Sequence, residues 1–327
     1  MRPFNCPGFA AALLLSGLVA CSVPTPPPTP PQAVTSAVPD AAASHRAEVE
    51  RWRQGRLERL QKPDGWLSLI GLHWLGEGEQ SFGSASDNDI VLAAGPAHFG
   101  RLRVVDGAVQ LRADPSANAV IEGAVQPADP PSVTPPITAW TVLAADTADA
   151  SSVVRAGTVS FVVIDRGGRL GLRVRDTEAP HRLHFAGIDA YPVAAAWRFE
   201  ADWTATPEAP GFQIQTVIGT IEEMPNPGYA SFSHNGHDYR IYPVIEKGEA
   251  DLFIIFADRT NGKETYGPGR FFYAPQPQNG KLILDFNKAY NPPCAFSDFS
   301  TCPLPPPENR LDLAVTAGEK KYRGTIH

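Results

Sequence analysis

Short apolar runs with period-two alternation, broken by glycine-containing dipeptides, dominate the chain beyond residue 65. GRLRVV and AVQLRA flank Asp106-Gly107, VSFVVID and RLGLRVRD flank Gly167-Gly168, and YASFSH and HDYRIYPV flank Asn235-Gly236. Asn261-Gly262 separates DLFIIFADRT from KETYGPGRFFYA, and Asn279-Gly280 leads into KLILDF. Such dipeptides supply the positive φ of primed turns, whose twist matches paired strands, so they predict hairpins. Only Ala41 to Gln61 reads as helix, with Val49, Trp52, Leu57 and Leu60 on a loosely apolar face among Arg and Glu. Long helices do not alternate with strands, which disfavours a parallel α/β sheet. The expected class is mainly β: an antiparallel, hairpin-rich β-sandwich or open barrel with an N-terminal helix.

The first 20 residues change the picture of location. Arg2, the apolar run Phe9 to Leu15 and the sequence Leu18-Val19-Ala20-Cys21 have the pattern of a bacterial lipoprotein signal, and the run is too short to span a bilayer. Similarity to lipoboxes implies cleavage before Cys21 and acylation of its thiol, with palmitate-type chains as the membrane contact. Ser22 at the next position resembles lipoproteins exported to the outer membrane, here facing the periplasm. Residues 21–40 are rich in Pro, Ser, Thr and Ala and nearly uncharged. They read as a semi-rigid linker that extends about 3 Å per residue. Beyond it, residues 41–130 read as the helix plus a small β module, and 131–327 as a main β domain.

Composition removes one class of partner. With 28 Lys+Arg against 35 Asp+Glu the formal charge is −7, and loss of Arg2 with the signal makes it −8. No basic stripe interrupts this balance, so nucleic acid is not expected as a partner. Of four cysteines, Cys6 leaves with the signal and Cys21 carries lipid, which leaves Cys294 and Cys302 as an expected disulfide in an oxidising compartment. No histidine lies in or beside their segment, so a metal there is the minor reading.

That segment, KLILDFNKAYNPPCAFSDFSTCPLPPPENRL from Lys281 to Leu311, concentrates six prolines and three asparagines around the two cysteines. Proline fixes φ and removes a donor, so the segment is expected to be a stiff coil suited to a clasp or a site. Asp258, Thr260, Glu264, Tyr266 and Arg270 surround one predicted turn, and Asp285, Asn287, Tyr290 and Asn291 sit where a strand enters the coil. Sequence-adjacent hairpins usually pair, which predicts that the two groups converge into one polar site walled by Pro292-Pro293. In it Arg270, Tyr266, Asn287, Tyr290 and Asn291 are ligand-binding candidates, and Asp285, Glu264 and Asp258 candidates for acid/base work. The competing reading is structural: Asp285 and Asn287 bonded to coil backbone, and Arg270 paired with Glu264 or Asp285. No nucleophile elbow, zinc-helix motif, phosphate loop or dinucleotide fingerprint is present, so no cofactor is expected.

Two resemblances add to this. WLGEGEQSFGSASDNDIVLAAGPAHFGRLRVVDGAVQLRA resembles the start of forkhead-associated domains, but Ser84 after Gly83 stands where that family places its phosphopeptide-binding arginine. It implies β-sandwich packing without phosphothreonine recognition. WLSLIGLHWL, DNDIVL, GRLGLRVRD, WRFEADW, FADRTNGKETYGPGRFF, LDFNKAYNPPCAF and CPLPPPENRL followed by AGEK resemble the domain of unknown function 1684 family. This implies a shared fold and site and carries no reaction. Two functions are thus expected in turn: an envelope lipoprotein binding a small molecule, glycan or protein partner, or a hydrolase-like enzyme using paired carboxylates.

Overall fold

Strand pairing follows the predicted turns closely. The computed structural model describes residues 40–123, 125–126 and 137–324; the expected signal, the acylated Cys21 and almost all of the linker lie outside the described residues. Asp106, Asn235 and Asn279 take φ of 50–51°, each followed by a glycine at positive φ, and Gly167 and Gly168 are both positive. Val105 therefore pairs with Ala108, Arg166 with Arg169 and His234 with His237. Asn261 does not take positive φ. There the strands Leu252–Phe256 and Arg270–Ala274 pair across a long loop, Phe256 facing Arg270, instead of the tight hairpin that Asn261-Gly262 suggests.

The strands form two layered β units. In the first, a five-stranded antiparallel sheet takes Leu69–Trp74, Arg169–Asp176, Val159–Arg166, Ser152–Ala156 and Val120–Gly123 in spatial order. It faces a six-stranded sheet built around Glu79–Gly83, Gly100–Val105 and Ala108–Ala113, whose one parallel pairing joins Phe82 to Ile90. Phe82, Phe99 and Phe161 meet between the layers with ring centroids 4.9–5.5 Å apart. All three are fully buried, each contributing about 1.5–3 kcal/mol. This sandwich takes strands from both sides of residue 130, because Phe161, Val163 and Leu172 share its core with Phe82 and Leu102.

In the second unit a four-stranded antiparallel sheet runs His237–Ile241, Gly228–His234, Arg198–Ala205 and Lys281–Asp285. Against it packs the Leu252–Phe256/Arg270–Ala274 ribbon. Every residue of LFIIF is buried. Leu252, Ile254 and Phe256 face Leu282, Leu284 and Phe286, while Phe253 and Ile255 face Ile214, Val244 and Cys302 on the other side. The ribbon and the strand Lys281–Asp285 therefore stack in different layers instead of sharing one sheet. Among the described residues the fold is mainly β, with several antiparallel sheets that stay open and no closed barrel, as expected.

The helix is Ala41–Leu60, capped by Asp40, whose side chain accepts from the Ala42 amide at 3.2 Å. Only Val49 and Leu60 are buried along it. An apolar face this thin docks weakly by itself, and polar contacts complete the job.

Candidate functional site

Arg270 opens its strand completely buried, at 0% exposure. Its Nη2 donates to Asp258 Oδ2 at 2.6 Å and to the Val315 carbonyl at 2.9 Å, and Nη1 donates to the Ala317 carbonyl at 2.5 Å. Burial pulls the guanidinium pKa down, opposed by the Asp258 charge. Asp258 is filled from its other side: Oδ1 accepts from Thr260 N at 2.6 Å and Thr260 Oγ1 at 2.5 Å, and the latter oxygen meets Thr265 Oγ1 at 2.8 Å. The Asn261 amide accepts from Asp258 N and donates to the Tyr266 carbonyl. These side-chain bonds replace the two-residue turn. They fold the 257–269 loop onto the C-terminal coil.

Asp285, the last residue of its strand, belongs to a second centre. Its Oδ1 accepts from Asn287 N at 3.1 Å and Nδ2 at 2.9 Å. Its Oδ2 meets His45 Nε2 of the N-terminal helix at 2.8 Å, with the two side chains 11% and 8% exposed. The Asn287 amide accepts from Ala194 N and donates to Ala194 O, so a side chain here substitutes for a strand neighbour.

The helix supplies a third set of contacts. Arg56 Nε donates to Glu319 Oε1 at 2.5 Å and Nη2 to the Asn291 carbonyl at 2.8 Å, while its guanidinium lies 4.3 Å over the Tyr290 ring. Asn291 N donates to Glu319 Oε2 at 2.7 Å. Arg53 donates to the carbonyls of Tyr191 and Asn287. Gly318, at φ 77°, lets the coil reach this point, since a Cβ there would stand 2.4 Å from the Ala289 carbonyl.

The predicted residues thus come to one region but not to one cleft. Arg270 pairs with Asp258, and neither Glu264 nor Asp285, the two partners expected for it, is bonded to it. Glu264 accepts from the Tyr191 hydroxyl at 2.9 Å, and burial together with that carboxylate pushes the Tyr191 pKa up to about 12. Tyr266 donates to the Cys294 carbonyl at 3.0 Å, and burial raises its pKa. Asp285, Glu264 and Asp258, the candidates for acid/base work, are each bonded to a different protein donor: His45 and Asn287, Tyr191, and Arg270 and Thr260. Cys294 and Cys302 are present as two thiols, side by side, where a disulfide was expected. Among the described residues no three His, Cys, Asp or Glu side chains are grouped to hold a metal.

Sequence reasoning missed His45, Arg53, Arg56, Tyr191 and Glu319. For the three on the helix, His45, Arg53 and Arg56, the signal was a helical one. His45, Val49, Trp52, Arg53, Arg56 and Leu60 recur at three- and four-residue spacing, which makes one face that is part basic and part apolar.

One group at the rim titrates against the fold. Burial raises the Glu246 pKa, partly offset by the hydrogen bond it accepts from the Tyr273 hydroxyl. A raised folded-state pKa means the folded protein holds the proton more tightly. Its stabilising effect is full below the unfolded value and is lost as pH rises through the folded one. Glu246→Gln is therefore expected to leave the melting temperature unchanged at about pH 4 and to raise it at neutral pH. A lower melting temperature at pH 7 would contradict the assignment.

The architecture and these contacts define a double-layered β protein whose N-terminal helix is pinned to a C-terminal coil by buried ion pairs. Residues 183–320 match the family described as Protein of unknown function (DUF1684). An uncharacterized protein of Haloarcula marismortui, with a structure determined by solution NMR, is 31% identical to it. The match covers 43% of this chain and 79% of that one, with a TM-score of 0.37. No curated protein matches the chain.

Proposed function

We propose that this is a lipid-anchored protein of the bacterial cell envelope that binds a small polar molecule or glycan, and that its carboxylates Asp258, Glu264 and Asp285 catalyse no hydrolysis. What supports the non-catalytic reading is the occupation of its carboxylates. The Asp258 and Arg270 side chains are both 0% exposed, and Asp285 meets His45 on one oxygen and Asn287 on the other. A general acid or base must reach the proton it moves, and these groups are enclosed by their own partners. The hydrolase reading lacks its cleft.

The ligand is placed instead in a cavity of about 420 Å³ on the first sandwich, lined by Ser81, Asn88, His98, Arg101, Arg112 and Asp114. Arg101 and Arg112 are both held by Glu79, at 3.1 and 3.3 Å. Donors and acceptors of both signs suit a neutral, hydroxyl-rich ligand better than an anion. The anchor rests on Cys21 and the segment before it, and sorting to the outer membrane on Ser22.

A thermal-shift screen of oligosaccharides and small polar metabolites tests the binding, because a ligand of the folded state raises the melting temperature. Combined Arg101→Ala and Arg112→Ala should abolish the shift, and Asp285→Asn should keep it. The reverse pattern would return the ligand to the C-terminal cluster, and turnover of a hit would overturn the non-catalytic reading. Cys21→Ala should release the protein from the membrane fraction; complete retention in the outer membrane would remove the anchor.

A further inference from the structure

The cysteine pair lies apart from both the cavity and the carboxylate cluster, and its two sulfurs are unequal. Cys302 is 5% exposed and packs with Phe253, Ile255 and Phe271, whereas Cys294 is partly open to solvent. Cys294 Sγ accepts from Ser300 Oγ at 3.0 Å and from the Cys302 amide at 3.3 Å, and Cys302 Sγ accepts from the Cys294 amide at 3.1 Å. Each sulfur thus touches the backbone of the other, and the loop between them is already closed. Pro292 and Pro303 restrain it at both ends, and the Cys302 carbonyl accepts from Val217 N.

The surroundings favour negative charge on the outer sulfur. Arg166 Nε and Arg173 Nη2 both donate to Thr301 Oγ1, at 3.0 and 3.2 Å, which brings two guanidiniums to the residue next to Cys302. Asp146 bonds Arg166 at 2.7 Å but stands 4.0 Å from Arg173. One carboxylate therefore serves two cations, and Arg173 is only 5% exposed. Hydrogen bonds from Cys302 and Ser300, with Arg173 behind them, bring the Cys294 thiol down to about 7. Burial pushes Cys302 up. Tyr266, Pro268, Phe271, Pro292 and Leu304 close around both sulfurs and leave no space even for a water molecule, so a substrate must approach over the partly open side of Cys294.

We propose that Cys294 and Cys302 form a thiol–disulfide exchange site for a small, unbranched organic disulfide, with Cys294 as the attacking and Cys302 as the resolving sulfur. The Cys294 thiolate attacks one sulfur of the substrate, forming a mixed disulfide and expelling the other half as a thiolate, which takes up a proton. Cys302 then loses its proton and attacks Cys294 Sγ, closing the intramolecular disulfide and releasing the second half as a thiol. The substrate gains two electrons and the protein loses two. A dithiol reductant returns the pair to thiols, and the apolar walls beside that open side select a linear arm over a branched one.

The test uses the mature, detergent-solubilised protein, reduced and freed of reductant, with cystamine as the probe and acid-quenched intact mass as the readout. Wild type should end as the intramolecular disulfide with no adduct retained. Cys302→Ser should stop with one cysteaminyl group on Cys294, and Cys294→Ser should react at least about tenfold more slowly. Glutathione disulfide should react more slowly than cystamine with Cys302→Ser. The alkylation rate of Cys294 in the reduced wild type should have its midpoint near pH 7, set by the Cys302 thiol and Ser300 on the same loop and Arg173 from the sheet below, with Tyr266 packed beside the pair. Equal rates for the two variants, or a folded protein no faster than the urea-unfolded chain, would overturn the proposal. So would a native disulfide that resists excess dithiothreitol, which defines a structural clasp. Limited alkylation of reduced wild type, mapped by peptide mass, gives an answer independent of variant folding: Cys294 must be modified first.

Discussion

Arg270→Met is expected to lower unfolding free energy by about 3–5 kcal/mol, the cost of leaving one member of a buried ion pair alone. The size follows from the surroundings. Asp258 would keep its charge at 0% exposure with only Thr260 to donate to it, and the carbonyls of Val315 and Ala317 would lose a donor each. Domains of ordinary stability hold about 5–15 kcal/mol in total, so the variant should sit near the edge of folding at 37 °C. Asp258→Asn should fall in the same direction by less, because an amide oxygen still accepts from Thr260. Urea denaturation of both variants checks this. A loss under about 1 kcal/mol for Arg270→Met would mean that Asp258 finds water, and the enclosed geometry would be wrong.

Arg56→Ala is expected to cost about 3 kcal/mol and to loosen the N-terminal helix selectively. Glu319 is 6% exposed on its side chain, and after the substitution only the Asn291 amide would donate to it. The arene face of Tyr290 would lose its cation as well. Val49 and Leu60 are the helix's only buried residues, so its docking leans on polar contacts, and with Arg56 gone only those of His45, Glu48 and Arg53 remain. Hydrogen exchange should therefore quicken over residues 44–60 while the amides of Leu252–Phe256 keep their protection. Arg56→Lys should recover only part of the loss, since an ammonium cannot span Glu319 and the Asn291 carbonyl as the planar fork does. Uniform acceleration across the sheets would show that the helix unfolds only with the whole.

The hairpins were legible because their information is local. A dipeptide such as Asn235-Gly236 determines both φ values of its turn, and the flanking alternation sets the register. Asn261-Gly262 has the same letters, yet the Asn261 side chain bonds the Asp258 amide and the Tyr266 carbonyl, and the chain takes a longer path. Side-chain competition of this kind leaves no mark in a two-residue signature. The candidate site was half legible for a related reason. Asp258, Arg270, Asp285, Asn287 and Asn291 were found from their density around a stiff coil. Their partners were not, because His45 lies 240 positions from Asp285 and Arg56 lies 263 from Glu319. Nothing in a single sequence ties residues so far apart.

That separation has a consequence for how the chain is made. Arg56 of the helix Ala41–Leu60 leaves the ribosome 263 residues before its partner Glu319. A charged helix with two buried apolar residues has little stability alone, so it waits unpartnered while the intervening residues are synthesised. Closing such distant contacts is slow, which keeps the nascent protein in a loose, threadable form. The lock between Arg56 and Glu319 can engage only after both sandwich layers that lie between them in the sequence have been made.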